Sequence, residues 1–101
     1  MAKNNMYDEQ AVTELELYTQ NTGELYQKRI SPYLDNLSKK EEKGMYDEEK
    51  AQKGYYSIVN ESAKMYNKEF GSSGSMIFTP RDKKEVAKRL EMSYRDEIKE
   101  R

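Results

Sequence analysis

The sequence contains no cysteine, no histidine and no tryptophan among its 101 residues. Without cysteine the chain forms no disulfide, zinc–thiolate site or thiol nucleophile, which fits a reducing compartment. Without histidine it lacks the commonest general base and the commonest metal ligand of proteins. These two absences make an enzyme the least favoured class. We expect no catalytic residue, no cofactor and no metal site.

Long apolar runs are missing as well. No stretch approaches the roughly 18 apolar residues that a transmembrane helix requires. The first ten residues, MAKNNMYDEQ, lack the apolar centre of a signal peptide. We therefore expect a soluble, non-secreted protein with no membrane partner.

Neither sign of charge dominates the chain. The 18 Lys and Arg residues nearly cancel the 19 Asp and Glu residues, which leaves a net charge of −1, although charged residues make up 37% of the sequence. Such a balanced surface does not steer the whole molecule toward nucleic acid or an anionic membrane. Local patches of one sign remain compatible with this composition.

Tyrosine is the dominant aromatic residue, with nine Tyr against two Phe. Its ring covers a core while its hydroxyl stays in water, which suits a thin domain or one that assembles with copies of itself. We expect Tyr7, Tyr46 and Tyr56 to be exposed and to be candidates for an interface, because Tyr is enriched at binding hot spots. The remaining tyrosines are expected in the core and its rim: Tyr18, Tyr26, Tyr33, Tyr55, Tyr66 and Tyr94.

The last quarter of the chain predicts a helix over 80–99. Thr79 is a suitable N-cap, Pro80 suits the first helical position, and Asp82 is placed for a capping box. The apolar residues then recur at helical spacing on one face: Val86, Ala87, Leu90, Tyr94 and Ile98.

A second helix is predicted over 47–70, with Asp47 as its N-cap and Gly71 as its stop. Gly54 costs about 1 kcal/mol inside a helix relative to Ala, a cost that close packing at this position would explain. The predicted apolar face consists of Ala51, Tyr55, Ile58, Val59, Ser62, Ala63, Tyr66 and Phe70.

The pattern before Gly44 is helical, but it does not fix where one helix ends and the next begins, because Pro32 either begins a helix or kinks a longer one.

We predict one all-α domain over 1–101, a small bundle of three to four helices. In it a hairpin of 47–70 and 80–99 packs on N-terminal helices. Residues 1–6 are expected to be disordered, and 71–78 to form a loop that folds Met76, Ile77 and Phe78 back onto the core.

One motif occurs twice, as MYDEQA at 6–11 and as MYDEEKA at 45–51. Either a unit was duplicated or the same local structure is needed at two places. We favour the second interpretation, in which Asp8 and Asp47 are N-caps followed by acidic first turns and the preceding tyrosine packs against the helix.

The stretch at 81–95 is dense in basic residues and can be read as a nucleic-acid recognition helix. Acidic residues are interleaved throughout it, so binding of nucleic acid is an alternative that the pattern does not favour. The GSSGS at 71–75 lacks the lysine of a phosphate-binding loop and indicates a linker. We assign the many carboxylates to solvated helix faces, since their spacing matches no metal-binding loop.

Ordered short blocks along the chain carry a resemblance: ELELY at 14–18, LYQKR at 25–29, PYLDNLSKK at 32–40, KGMYDEEKA at 43–51, SAKMYNKEFG at 62–71, FTPRDKKEVAKRL at 78–90 and YRDEI at 94–98. Together they resemble a group of small uncharacterised proteins of tailed bacteriophages. The resemblance carries no catalytic signature. It implies a phage origin and a location in the host cytoplasm, with the virion as the alternative.

From these observations we expect a non-enzymatic interaction protein that inhibits a host or defence protein through an exposed helix face. The alternatives are a small virion structural or assembly component and a nucleic-acid-binding accessory protein. A homo-oligomer is compatible with such a small bundle, because association often adds stability. The interface candidates are Tyr7, Tyr46, Tyr56, Arg81, Lys84, Lys88 and Arg95.

Overall fold

The computed structural model describes residues 7–71 and 78–101. Within these residues the chain forms four helices and no strand, which confirms the predicted all-α bundle. The expected disorder of 1–6 and the predicted positions of Met76 and Ile77 lie outside the described residues. The helices are α1, Glu9–Asn21; α2, made of the consecutive segments Gly23–Leu25, Tyr26–Ile30 and Ser31–Glu42; α3, Glu48–Phe70; and α4, Pro80–Glu100.

The predicted N-caps are confirmed at three helices. The carboxylates of Asp8 and Asp47 each accept hydrogen bonds from the backbone N–H groups two and three residues further along the chain. At α4 the Thr79 hydroxyl accepts a bond from the Asp82 N–H at 3.1 Å, and the Asp82 carboxylate accepts one from the Thr79 N–H at 3.0 Å. These bonds satisfy backbone donors that a helix start otherwise leaves without partners.

A π turn settles the role of Pro32 in α2. The segment Tyr26–Ile30 is π-helical, and the Ser31 N–H bonds to the carbonyl of Tyr26, five residues earlier. A proline offers no N–H, and its ring crowds the carbonyl four residues before it. The wider turn directly before Pro32 accommodates both effects, so the helix runs through residues 23–42 without a break.

Gly44 ends α2, as its position predicts. Its φ of 70° lies in the left-handed region that glycine adopts without strain. The Met45 N–H bonds to the Lys40 carbonyl at 2.8 Å and the Gly44 N–H to the Glu41 carbonyl at 3.1 Å, which is the Schellman arrangement of a helix end. The chain then turns directly into α3.

Helices α3 and α4 form the predicted antiparallel hairpin. The start of α3 meets the second half of α4 through the ion pair of Glu48 and Arg95, while Tyr66 near the end of α3 meets Phe78 just before α4. Helices α1 and α2 pack against this hairpin and close the core. The predicted inward fold of Phe78 is confirmed, since its side chain is buried.

The predicted apolar faces supply the core, with one exception. Phe70 was expected to face inward, and this is wrong, because 46% of it is exposed at the end of α3. A buried hydrogen bond of 2.6 Å between the hydroxyls of Thr19 and Ser62 joins α1 to α3. The largest apolar side chains that are completely buried are Tyr55, Leu15, Ile30, Leu34, Leu90, Val12, Val59 and Val86.

The predicted close packing at Gly54 is confirmed. A β-carbon at this position would lie 1.9 Å from the hydroxyl oxygen of Tyr33, which packs across α3 from α2. The Tyr33 hydroxyl donates to the Ala51 carbonyl at 3.1 Å, and its ring meets that of Tyr55 edge-on with centroids 5.1 Å apart. The bare backbone of one glycine therefore lets α2 lie close to α3.

None of the helices within residues 7–71 and 78–101 is both long enough and apolar enough to cross a membrane.

Candidate interaction groove

Two stripes of side chains on adjacent helices enclose a groove on the outer face of the hairpin. Each stripe has the spacing i, i+3, i+4, i+7, which places four side chains on one face of a helix. Two neighbouring concavities of about 360 and 480 Å³ follow these stripes, and both are lined by Gln52 and Lys84. The α3–α4 groove is lined by Glu49, Gln52, Lys53 and Tyr56 of α3, by Arg81, Lys84, Glu85, Ala87 and Lys88 of α4, and by Tyr7.

The base of the groove is apolar and its margins are basic. Ala87 is buried beneath it, and Tyr56 is half-buried with its ring packed against the core. Lys53, Lys84 and Lys88 are exposed, and none of the three forms an ion pair with a described residue. Long lysine side chains cover apolar surface with their stems while their ammonium groups stay in water.

The local charge of the groove differs from that of the whole chain. Arg81 is also exposed in the lining of the groove. The lining therefore contains four cations and two carboxylates, those of Glu49 and Glu85. Glu85 already accepts a hydrogen bond of 3.0 Å from Arg89, which compensates its charge. The groove is therefore a basic concavity on a chain whose net charge is −1.

The segment before α1 supplies one wall of the groove. Its backbone is held by Asp82, whose carboxylate accepts a hydrogen bond of 2.8 Å from the Asp8 N–H while only 2% of the residue is exposed. The Tyr7 ring lies 5.8 Å from the guanidinium carbon of Arg89, a cation–π distance. Glu9 binds Arg89 at 2.9 and 3.3 Å, and this hydrogen bonding raises the pKa of Arg89. Tyr7 is thereby fixed against α4.

Two of the interface candidates, Tyr46 and Arg95, lie in a separate cluster around Glu91. The Glu91 side chain is completely buried; Arg95 donates to it at 2.7 and 3.0 Å, and the Tyr46 hydroxyl donates at 2.8 Å. Burial, the largest influence, raises the pKa of the Glu91 carboxyl, but these hydrogen bonds and the Arg95 charge outweigh it and hold the pKa below its ordinary value. Burial and the bond to Glu91 raise the pKa of Tyr46.

The assignment of all carboxylates to solvated helix faces is thus wrong for Asp82 and Glu91. Both are buried because each accepts several hydrogen bonds, which offset the cost of removing a carboxylate from water. The capping box in the sequence indicates one of the hydrogen bonds that Asp82 accepts, the one from the Thr79 N–H. The partners at Asp8 and Tyr46 come from distant parts of the chain and leave no local signal.

Five of the seven sequence-predicted candidates converge on the groove, namely Tyr7, Tyr56, Arg81, Lys84 and Lys88. The expectation that the three candidate tyrosines are exposed is wrong, because Tyr7, Tyr46 and Tyr56 are half-buried and packed against the core. Sequence reasoning missed the α3 stripe with Lys53. The i, i+3, i+4, i+7 spacing beside the apolar face of α3 was the signal that could have found it.

The repeated motif has the same structural role at both places. Asp8 and Asp47 cap their own helices, as predicted. The tyrosine before each aspartate contacts α4, Tyr7 at Arg89 and Tyr46 at Glu91.

Among residues 7–71 and 78–101, no three side chains of the Asp, Glu, His and Cys types are grouped so as to hold a metal ion.

Comparison with known protein families, with curated proteins and with solved structures finds no match to this chain. Its function is therefore inferred from the geometry and the charge of the groove.

Proposed function

We propose that this chain is a non-enzymatic interaction protein that recognises a protein partner through the α3–α4 groove. One observation carries the proposal: a concave surface with an apolar base is bordered by Lys53, Lys84 and Lys88, which have no ion-pair partner among the described residues. Arg89 and Arg95, by contrast, form ion pairs within the bundle. The lysines of the groove keep their charges available to another molecule.

The anatomy of the groove supports a protein partner. Protein interfaces combine an apolar, well-packed centre with a polar rim, and tyrosine is enriched among their energetically dominant residues. Here Tyr56 and Ala87 provide the centre, while the lysines and Tyr7 provide the rim. A partner seated in the groove gains apolar contact at the base and ion pairs at the margin.

The resemblance to small phage proteins suggests where such a partner is found. A phage-encoded binder acts in the host cytoplasm, where it inhibits a host or defence protein by covering a surface that protein needs. This mechanism is steric and needs no catalytic group in the chain. A role as a virion structural or assembly component is the alternative, in which the partner is another copy of the chain or a phage protein.

A second candidate function, binding of nucleic acid, is favoured by the four cations and two tyrosines around the groove. Phosphates are attracted by such cations, and bases stack on tyrosine rings. Glu49 and Glu85 in the same stripes oppose it, because they interrupt the rows of cations along the groove. Binding of this kind would weaken steeply with salt.

The test is a capture experiment from host lysate with the tagged wild-type chain, with and without nuclease, read by mass spectrometry. The groove variant Lys84→Glu/Lys88→Glu is compared with the control variant Lys28→Glu/Lys99→Glu. All four lysines are exposed, and the two variants change the net charge equally. Thermal unfolding of each variant checks that the fold is intact.

The proposal expects a stoichiometric protein that survives nuclease, is retained by the control variant and is lost with the groove variant. Capture that disappears with nuclease would support the nucleic-acid function instead. Recovery of the chain alone, in a large complex, would favour the virion component. A partner captured equally by both variants would place the interface outside the groove.

A further inference from the structure

The length of the α3–α4 groove matches about two turns of one more helix. Its two stripes lie on adjacent antiparallel helices, and each covers two turns, from residue i to residue i+7. Seven residues of a helix rise roughly 10 Å, so each stripe faces about two turns of a partner. Amphipathic helices bind such grooves through apolar residues at i, i+3, i+4 and i+7.

The charges at the margins specify the partner further. Lys53 borders the groove on the α3 side, while Lys84 and Lys88 border it on the α4 side. A helix seated between them therefore meets three lysines and the carboxylate of Glu49 at its flanks, since Glu85 is already engaged by Arg89, and an apolar base below. Flanking Asp and Glu residues complement this arrangement, whereas flanking Lys and Arg residues are repelled.

From this geometry we infer that the partner segment is an acidic amphipathic helix, with an apolar stripe that packs on Tyr56 and Ala87 and with carboxylates on both flanks that pair with the groove lysines. This inference rests on the proposed function and names the chemistry of the partner at the same groove. A nucleic-acid strand would pair its phosphates with the lysines and stack bases on the tyrosine rings, but it has no aliphatic side chains to pack on Ala87, so the base favours the amphipathic helix.

Tyr7 adds a specificity element to the groove. It comes from outside the hairpin and is held in place by the Asp8–Asp82 hydrogen bond and by Arg89. Its half-buried ring raises the wall on the α4 side beside Arg81 and Lys88. A partner helix with a bulky apolar residue at that end makes an additional contact, because aromatic side chains contribute large contact areas.

Fluorescence anisotropy with a defined probe tests the inference. The probe is a fluorescein-labelled helical peptide of about 15 residues, made of Glu, Leu and Ala with Leu at the i, i+4 and i+7 positions, long enough to span the groove. The comparison probes are the same composition in scrambled order, the version with Lys in place of Glu, and single-stranded oligo-dT. Each is titrated with the full chain in about 50 and about 200 mM salt, a range over which surface charge interactions are increasingly screened.

The inference expects the acidic helix to bind at least tenfold more tightly than the scrambled and the lysine probes, and less tightly at the higher salt. Lys84→Glu/Lys88→Glu should weaken binding by tenfold or more, whereas Lys28→Glu/Lys99→Glu should change it less than twofold. Tyr7→Ala should weaken binding about threefold without lowering the thermal midpoint by more than a few degrees. Each fold-change is read from the titration midpoints.

Three outcomes would overturn the inference. Tighter binding of oligo-dT than of the acidic helix, abolished by Lys84→Glu/Lys88→Glu, would make the groove a nucleic-acid site. Dimerisation of the wild type that this variant abolishes, seen by light scattering, would make a second copy the occupant. Absence of binding by the acidic helix, together with groove-dependent capture of a partner from lysate, would leave the proposed function standing and refute only the acidic helix.

Discussion

Gly54→Ala is the substitution for which helix propensity and tertiary packing predict opposite changes in the stability of the protein. Inside a helix, Ala is favoured over Gly by about 1 kcal/mol, so propensity alone predicts a more stable protein. In the folded chain the added β-carbon would lie 1.9 Å from the Tyr33 hydroxyl oxygen and 2.2 Å from the ring carbon that carries it. Neither atom can remain at that distance, so the Tyr33 ring has to leave its place.

The cost of displacing the Tyr33 ring exceeds the gain in propensity. The hydroxyl loses its hydrogen bond to the Ala51 carbonyl, worth about 1 kcal/mol. The ring loses its edge-on contact with Tyr55, worth about 0.5–1.5 kcal/mol, and part of its apolar burial, worth roughly 1 kcal/mol. After the gain is subtracted, we expect a net destabilisation of about 1.5–2.5 kcal/mol, or a drop in Tm of roughly 6–20 °C.

Thermal and urea unfolding, followed by circular dichroism, measure the effect in two backgrounds. In Tyr33→Ala the obstructing ring is absent, so Gly54→Ala should there become stabilising by up to about 1 kcal/mol. Gly23→Ala is the matched control, because no atom lies within 4 Å of its added β-carbon, and it should be neutral or slightly stabilising. A gain in stability from Gly54→Ala in the wild-type background, or the same loss in both backgrounds, would refute the packing argument.

Further predictions concern the buried polar groups. The folded state lowers the pKa of Glu91, so its ion pair stabilises the fold above the ordinary carboxyl pKa of 4.5 and stops doing so as the pH falls through the lower folded value. Melting curves between pH 7 and pH 3 should therefore show Glu91→Gln to be less stable by about 1–3 kcal/mol at pH 7, with a deficit that shrinks in acid. Burial raises the pKa of Tyr94 from 10.0 to about 12, so its neutral form stabilises the fold fully below pH 10, and this contribution is lost as the pH rises toward 12. Tyr94→Phe should reduce the alkaline decline of stability, and absorbance at 295 nm should show that the last tyrosines of the wild type to ionise do so as the fold is lost. Asp82→Ala removes the acceptor for the N–H groups of Asp8 and Thr79, and we expect a loss of about 2 kcal/mol with faster hydrogen exchange at Asp8; unchanged exchange there would contradict the assigned bond.

Local signals in the sequence predicted the helices well. Asp47, Thr79 and Gly44 are residues whose own chemistry fixes a helix start or end, because their partners lie within a few residues. The apolar spacing of α3 and α4 also predicted nearly every buried apolar position, because residues three and four apart lie on one face of a helix. Phe70 was placed wrongly because periodicity does not indicate where the neighbouring helices stop covering a face.

The candidate groove was predicted in part. Arg81, Lys84 and Lys88 were selected for their density along one helix, and they do share one face of α4. Lys53 was missed because it lies on another helix, and which side of α3 meets α4 is a tertiary property. Arg95 belongs to the same basic stretch and is engaged by Glu91 four residues earlier, a spacing that the sequence does show, whereas the burial of Glu91 and its bond to Tyr46 depend on the tertiary structure.

The sequence by itself determined that this chain is a small helical bundle without thiol or imidazole chemistry. It did so because composition, capping and apolar period act within a residue or between close neighbours. The tertiary structure alone decided which carboxylates are buried, that Tyr7 forms a wall of the groove, and that Lys53 faces Lys84 across it. These features depend on contacts between residues far apart in the chain, such as the bond from Asp8 to Asp82, which are separated by 74 positions, and contacts at that separation leave no periodic signal in the chain.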